Sequence, residues 1–262
     1  MASPPDICIR GNGIVGQALA LLLARERLRV ALVGPPGAGA DGATSDVRAY
    51  ALNAASRALL ESLRCWPPET AATPVLQMRV QGDDGGQVVF DATEQGSEAL
   101  NWIVDVPVLE QQLAQAVNYQ PLIDRVDAPV PAALTVVCEG KASRTRSEFG
   151  VNVDVTAYPQ HAIATRMQCE RPHAQTAWQW FADGDILAFL PLGGPQGNSV
   201  AVVWSVLQER ADERFAATAE DFATMLETAS HHMLGSLTQQ GERARWPLQL
   251  AQADRWVGPG WA

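Results

Sequence analysis

The sequence predicts an α/β protein in which a parallel sheet is interleaved with a mostly antiparallel sheet. Three observations predict this fold class. An apolar strand runs through a glycine-rich turn into an apolar helix at residues 7–24. The hydrophobic period changes from helical to alternating at residues 77–90, and residues 162–206 are rich in alternating or wholly apolar runs.

The first element is the turn between that strand and that helix. Three glycines follow Ile7-Cys8-Ile9-Arg10 with the spacing G-x-G-x-x-G. In a Rossmann-like domain the first glycine permits the tight turn, the second lets backbone approach a diphosphate, and the third lets the helix pack close to the strand. The helix amides would then face the phosphates. We therefore predict a dinucleotide site at Gly11, Gly13, Ile14, Val15 and Gly16, the alternative being a glycine-rich turn in another kind of α/β domain.

A second apolar strand, at residues 30–33, follows at the distance that a βαβ unit requires. In such units an acidic residue about 20 residues past the glycines usually holds the adenosine ribose. Here Val33 is followed by a loop rich in glycine and proline, and the first carboxylate is Asp41. Ribose recognition by the usual acidic residue is therefore not predicted.

The later helices and strands are predicted from the spacing of apolar residues and from the proline and glycine residues that interrupt it. Helical spacing predicts helices at residues 54–63 and 107–117, and residues 212–237 are rich in helical patterns. Two alternating runs separated by a polar, glycine-containing cluster predict a hairpin over residues 77–90. The apolar run at residues 134–138 predicts a buried strand that joins the first sheet.

Composition excludes several classes of protein. The 262 residues carry a net charge of −10, with a pI of about 4.8 and no block of Lys or Arg, which disfavours a nucleic-acid partner. No apolar run is long enough to span a bilayer, and no secretion signal is recognised, so we expect a cytoplasmic location. The cysteines are scattered and His231 and His232 are adjacent, so no metal site is expected.

Beyond the glycine turn, further segments resemble the FAD-dependent aromatic hydroxylases, and among them the ubiquinone-biosynthesis (2-polyprenyl-6-methoxyphenol) hydroxylases. Asp46-Val47-Arg48-Ala49-Tyr50-Ala51-Leu52 is similar to the family's D-x-R-x-x-A-L segment. Glu139-Gly140-Lys141-Ala142-Ser143-Arg144-Thr145-Arg146 is similar to its D-G-x-x-S-x-x-R motif. Leu190-Pro191-Leu192 and Val203-Trp204 resemble strands of its substrate domain. The matches span nearly the whole chain.

The resemblance implies a flavoprotein monooxygenase that uses FAD, with NAD(P)H as the reductant and oxygen, to hydroxylate a phenolic ubiquinone precursor. Its partner would be an aromatic, polyprenyl-phenol substrate, which implies peripheral association with the inner face of the membrane or with a ubiquinone-biosynthesis complex. It adds Arg48, Glu139, Gly140 and Gly258 to the expected FAD contacts. No catalytic residue is assigned, and a structural role is favoured for His161 and His173.

The chain also departs from the family pattern. Glu139 stands where the family has aspartate, and the final residues align Gly258 with the glycine of the family's G-D-A-A-H segment, so that Pro259 replaces its aspartate. This alignment predicts a chain truncated at its carboxyl end. A truncated, non-catalytic family remnant that serves as a binding or assembly subunit is therefore the alternative function. An NAD(P) oxidoreductase without flavin is a weaker one, because no Tyr-x-x-x-Lys pair is present.

The chain is predicted to alternate between an FAD-binding unit and a substrate domain. The FAD-binding unit is predicted at residues 1–72 and 103–158, and its last strand is predicted to begin within residues 247–262. The substrate domain is predicted at residues 73–102, as a hairpin, and at residues 159–246.

Overall fold

The computed structural model describes residues 4–34 and 46–262 of the chain. The loop predicted after Val33, including Asp41, lies largely outside the described residues. In chain order the elements are β1 (Ile7–Arg10), α1 (Ile14–Arg25), β2 (Val30–Val33), β3 (Ala49–Leu52), α2 (Ala54–Ser62), β4 (Ala72–Val75), β5 (Gln77–Gln81), β6 (Gln87–Asp91), β7 (Asn101–Asp105), α3 (Val106–Asn118), β8 (Ile123–Val126), β9 (Leu134–Val137), α4 (Thr145–Glu148), β10 (Val153–Cys169), β11 (Thr176–Ala182), β12 (Asp185–Leu192), β13 (Ser199–Leu207), α5 (Gln208–Ala216), α6 (Ala219–Ala229) and β14 (Leu237–Ala253).

A four-stranded parallel sheet with the order β8-β2-β1-β9 carries the glycine turn. Strand β1 lies between β2 and β9 and is almost wholly buried, which explains its continuous apolar sequence. Helix α1 packs on this sheet and helix α3 packs on α1, through small and branched residues such as Ala20, Leu21, Leu109 and Leu113. The predicted assignment of residues 134–138 to the first sheet agrees with the pairing of β9 with β1.

The second sheet has seven strands in the order β14-β10-β13-β12-β11-β5-β6. All its neighbours are antiparallel except β5 and β11, which run parallel. The predicted hairpin of residues 77–90 is therefore the edge of this sheet, as β5 and β6. Helices α5 and α6 cover one face of the sheet, where Phe222 and Leu226 are fully buried against Trp204 and Val206.

A third sheet, with the order β3-β7-β4, is not predicted by the sequence pattern. Its central strand contains the buried run Trp102-Ile103-Val104, which is the one local signal for it. Strand β8 is also missing from the prediction, because Pro121 and Pro129 flank it and suggest a loop without strands. Both omissions concern four- or five-residue strands whose partners are distant in the sequence.

Two predicted boundaries differ from the observed sheets. Residues 153–158, predicted in the nucleotide-binding unit, begin β10 of the seven-stranded sheet. Residues 247–253, predicted as the start of a strand in the nucleotide-binding unit, complete β14, which pairs with β10 along most of its length. The long alternating strands continue past the predicted boundaries because each satisfies the backbone hydrogen bonds of the other.

None of the helices in residues 4–34 and 46–262 combines the length and apolar composition needed to cross a bilayer.

Candidate functional site

The glycine turn lies at the carboxyl end of β1, at the entrance to α1. Gly11 has a φ of +117°, and a Cβ there would overlap the carbonyl group of Cys138. A Cβ on Gly16 would overlap the carbonyl oxygen of Gly11, so the helix can approach the turn only without a side chain at that position. These two glycines are therefore required by the packing of the protein itself.

Gly13 differs from the other two glycines of the motif. It has a φ of −73° as the N-cap of α1, and a Cβ placed on it would meet no atom within 4 Å among the described residues. The helix start has no side-chain cap and no acidic residue in its first turn. The first amides of a helix lack intrahelical acceptors and carry a partial positive charge. The open space beside Gly13 and these amides fit an anionic diphosphate.

The structure brings Glu139 and Gly140 next to this turn, because β9 is the neighbour of β1. The backbone N–H of Cys138 donates to the carbonyl oxygen of Arg10 over 2.7 Å, so the two strands end side by side. The Glu139 carboxylate accepts hydrogen bonds from the hydroxyls of Ser143 and Thr145, each over 2.7 Å. It also lies 3.5 Å from the Arg10 guanidinium. The carboxylate therefore fixes the loop that follows β9 against the end of β1.

The ionisation of Glu139 follows from these contacts. Burial raises the pKa of its carboxyl group, but the hydrogen bonds from Thr145 and Ser143 and the charge of Arg10 outweigh it. The net pKa lies below its ordinary value, so the group is ionised at neutral pH. The longer side chain of glutamate, where the resembling family has aspartate, reaches both hydroxyls of the loop.

Arg48 precedes β3 and is held by carboxylates of the protein. Its guanidinium donates to Asp46 over 2.5 Å and lies 3.3 Å from Glu110 of α3. The hydrogen bonds to Asp46, more than the charge of Glu110, raise the pKa of Arg48. Tyr50, two residues further on, lines a groove of about 470 Å³ together with Val15 of the glycine turn. The segment around Arg48 therefore runs past the start of α1, with an apolar groove between them.

Gly258, the remaining residue that the resemblance adds to the expected FAD contacts, lies beside Trp261. Trp261 forms a parallel bridge with Thr135 of β9, and Thr135 is level with Cys8 of β1. Gly258 precedes Trp261 and exchanges backbone hydrogen bonds with it over 3.0 and 3.1 Å. Gly258 is therefore level with Trp261, Thr135 and Cys8, three residues before Gly11 in β1. Its role as a flavin contact stays a prediction.

A separate polar cavity of about 310 Å³, not predicted from the sequence, lies where the seven-stranded sheet meets the three-stranded sheet. Arg166 of β10 donates to Asp105 over 2.5 Å and to the backbone carbonyl oxygen of Asp46 over 3.2 Å. The cavity therefore adjoins the segment that contains Arg48. The arginine that follows the small and apolar run Ala162-Ile163-Ala164 in β10 is the sequence signal that could have found it. The lining residues are Thr70, Ala71, Asp105, Arg166, Met167, Gln168, Leu192, Gly193, Ser199 and Gln240.

His173, one of the two histidines considered as a base, is a structural residue. Its Nε2 lies 2.8 Å from the carbonyl oxygen of Leu192, and its Nδ1 accepts from the backbone N–H of Gln175 over 3.0 Å. Its side chain is fully buried. Both ring nitrogens are occupied by backbone groups, so the ring closes the turn before β11 and does not face a substrate.

We expect His173 to make the chain sensitive to mild acid. Burial lowers its pKa below the ordinary value of 6.5, more than the bond to Leu192 raises it. The unfolded state therefore binds a proton first, and stability is lost as the pH falls below about 6.5. The variant His173→Gln should show a smaller change in the free energy of unfolding between pH 7.5 and pH 5.5. The slope against pH should decrease by up to about 1.4 kcal/mol per pH unit. Urea unfolding at several pH values measures this.

The matched control for this prediction is His231→Asn, at an exposed position with a φ of 53°, which asparagine tolerates. The control should keep the wild-type pH dependence. An equal flattening in both variants, or in neither, would contradict the role given to His173.

The sequence of the chain is similar to those of several curated hydroxylases. The chain is 29% identical over 286 residues to 3-demethoxyubiquinol 3-hydroxylase of Escherichia coli, covering 99% of the chain and 72% of that protein. It is 27% identical to ubiquinone hydroxylase UbiL of Rhodospirillum rubrum, covering 96% of the chain and 63% of that protein. The chain thus spans about two thirds of the length of these curated relatives. No protein-family model matches it.

Among solved structures, PqsL of Pseudomonas aeruginosa, described as a probable FAD-dependent monooxygenase, has a TM-score of 0.79 with 18% identity. The similarity covers 98% of the chain and 77% of PqsL. A further PqsL structure contains the aromatic compound 2-aminobenzoylacetate. The predicted fold class, a Rossmann-like domain interleaved with a mostly antiparallel substrate domain, is therefore confirmed. The chain is thus similar in sequence to proteins named as ubiquinone hydroxylases and similar in fold to a probable FAD-dependent monooxygenase.

Proposed function

We propose that this chain forms the dinucleotide-binding and substrate-facing parts of an FAD-dependent monooxygenase that hydroxylates a phenolic ubiquinone precursor. The single observation that carries the proposal is the turn at Gly11–Gly16, with open space at Gly13 and uncapped helix amides. This geometry suits the diphosphate of FAD. The relatives named as ubiquinone hydroxylases support the reaction class.

When bound, FAD would supply the redox chemistry: with a hydride from NAD(P)H, a proton and O₂, one oxygen atom would replace a ring hydrogen as a hydroxyl group and the other would leave as water. The residues of this chain bind and orient. The amides at the start of α1 would hold the diphosphate, and Glu139 would position the loop with Gly140 beside it. Arg48, in the neighbouring segment, would donate a hydrogen bond to the cofactor. To do so it would give up part of its contact with Asp46 or Glu110.

The substrate would reach the flavin from the side of the seven-stranded sheet. Strand β12 ends at Leu192, whose almost fully buried side chain lines the cavity beside Arg166 and contributes an apolar wall. Such a wall excludes water from the reacting ring. A polyprenyl-phenol substrate would also bring the protein to the inner face of the membrane, which we include in the proposal.

Flavin titration tests the proposal directly. We expect FAD to raise the free energy of unfolding of the chain by about 2.7 kcal/mol at 100 times the dissociation constant, and to raise its melting temperature accordingly. We also expect NADPH or NADH to reduce the bound flavin faster when a phenol is present. A chain that neither binds FAD nor gains stability from it would reject the monooxygenase proposal and favour a non-catalytic binding subunit.

A further inference from the structure

The end of strand β2 carries no side chain at the position where a ribose-binding acid is usual. That acid follows the second strand of a dinucleotide fold, about 20 residues past the glycines. Here Gly34 follows Val33 at this distance from Gly13. Its backbone N–H donates to the carbonyl oxygen of Val126 over 3.2 Å, so the pairing of β2 with β8 continues to this residue. The end of β2 therefore reaches the edge of the sheet that carries the glycine turn without a carboxylate.

The carboxamide of Asn12 lies where a side chain of residue 34 would begin. A Cβ placed on Gly34 would lie 2.5 Å from Oδ1 and 2.8 Å from Nδ2 of Asn12, and it would also overlap Cγ. These are the three terminal atoms of the side chain, so the amide group itself makes the contact. Gly34 and Asn12 therefore form a matched pair, in which the glycine leaves room for the amide.

The backbone around Asn12 is held from two sides. The N–H of Gly11 donates to the carbonyl oxygen of Val33 over 3.0 Å, which ties the glycine turn to the end of β2. The side-chain amide of Gln17, a buried residue, donates to the carbonyl oxygen of Asn12 over 2.8 Å. Asn12 itself is only half-buried. It is therefore held between the glycine turn and β2, with part of its surface accessible to a ligand.

An amide at this place suits a ribose. In a nucleoside diphosphate the ribose is bonded directly to the first phosphate, so a group between the glycine turn and the end of β2 is within its reach. A carboxamide can donate two hydrogen bonds and accept two. Asn12 can therefore keep its contacts with the protein and also accept a hydrogen bond from a ribose hydroxyl.

We propose that Asn12 binds the 2′-hydroxyl of the adenosine ribose, in place of the acid that is absent from the end of β2. The inference rests on the proposed function, because it names a further cofactor-binding residue of the same site. Asn12 contacts the cofactor in this assignment. Gly34 is a positioning residue, since it acts only by leaving room for the amide.

Two nucleotides that differ in one hydroxyl test the assignment. The probes are ADP and 2′-deoxy-ADP, which carry the same charge, and isothermal titration calorimetry of the full chain without FAD gives the two dissociation constants. We expect the wild-type chain to bind ADP about fivefold more tightly than 2′-deoxy-ADP, as the loss of one hydrogen bond predicts. Asn12→Ala should bring the ratio of the dissociation constants to about one. Asn12→Asp should keep the ratio, because a carboxylate also accepts from the hydroxyl, although its charge weakens both probes.

Gly34→Ala tests the same amide without changing it. The backbone of Gly34 lies outside the left-handed region, so alanine is not strained there, and its Cβ would displace the end of a side chain. The ratio should again fall to about one. In the double variant with Asn12→Ala, the ratio should fall no further than in Asn12→Ala alone.

Two control variants should keep the wild-type ratio. Asn118→Ala removes an exposed amide at the end of α3. Asp41→Asn removes the first carboxylate that follows β2 in the sequence. A ratio that is lost in Asp41→Asn and kept in Asn12→Ala would assign the ribose to that carboxylate and overturn the inference.

A purely structural asparagine would weaken both probes equally and leave their ratio unchanged. Equal binding of the two probes by the wild-type chain, or the wild-type ratio in Asn12→Ala, would therefore overturn the inference. Absence of ADP binding at millimolar concentration, or ADP that still binds to the FAD-loaded chain, would overturn it too. Circular dichroism confirms that each variant is folded, and Gly34→Ala provides the test if Asn12→Ala is not.

FAD binding separates failure of this inference from failure of the proposed function. A chain that binds FAD but does not distinguish the two probes retains the monooxygenase proposal and loses the ribose contact of Asn12. A chain with the expected ratios but no FAD binding retains the ribose contact and loses the monooxygenase proposal.

Discussion

Replacing Gly13→Asp is expected to lower the affinity for FAD by about 100-fold while the unliganded chain stays as stable as the wild type or becomes slightly more stable. Aspartate is a favoured N-cap, and a Cβ at this position meets no atom within 4 Å among the described residues. The carboxylate would lie where the diphosphate is proposed to bind, and like charges repel. Fluorescence titration with FAD and urea unfolding measure the two quantities.

Gly13→Ser is the matched control, because serine caps the helix equally well without a charge. It should lose less affinity than the aspartate variant, and high salt should narrow the difference between them. Gly11→Ala is expected to lower the free energy of unfolding as well, because Gly11 has a φ of +117° and a Cβ there would overlap the carbonyl group of Cys138. Unchanged FAD affinity in Gly13→Asp would mean that the ligand does not contact this turn.

The second large effect concerns stability, at the ion pair that joins the seven-stranded sheet to α5. Asp185 begins β12 and is 7% exposed. It accepts from Arg210 over 2.7 Å and from Arg214 over 2.5 Å, and Arg214 also stacks on the ring of Trp204. Replacing Asp185→Ala leaves two arginines without their carboxylate, and we expect a loss of about 3–5 kcal/mol in the free energy of unfolding.

Asp212→Ala is the control, because that carboxylate is 80% exposed in its pair with Arg245. Exposed pairs contribute about 0–1 kcal/mol, so this variant should be close to the wild type. Equilibrium unfolding in urea compares the two variants. A loss below about 1 kcal/mol for Asp185→Ala would mean that the packing of α5, and not the ion pair, holds it on the sheet.

The sequence predicts those parts of the fold that have a local signature. The glycine turn is recognisable because the residues that shape it are close together in the sequence, and two of its glycines, Gly11 and Gly16, leave room for backbone atoms of the same unit. The hairpin formed by β5 and β6 is likewise local. Helices α2 and α3 are predicted within two residues of their bounds from their apolar spacing, and the structure shows a side-chain cap on each, from Asn53 and Asp105.

What the sequence does not predict depends on partners that are distant along the chain. Strands β3, β4 and β7 form their own sheet, and β8 is recognisable only by its pairing with β2. The Asp105–Arg166 pair joins residues 61 positions apart. The register of the last residues is a further long-range feature: the bridge between Thr135 and Trp261 sets it, whereas the sequence offers only a short motif aligned by the glycine at Gly258.

Hydrogen exchange of the chain with and without FAD, read by mass spectrometry, tests the central claim most directly. If the glycine turn and the loop after β9 hold the flavin diphosphate, peptides covering residues 11–17 and 138–145 should exchange more slowly when FAD is bound. Peptides of β6, at the far edge of the seven-stranded sheet, should not change. Bound FAD with unchanged exchange at residues 11–17, and protection confined to another face of the protein, would contradict the account.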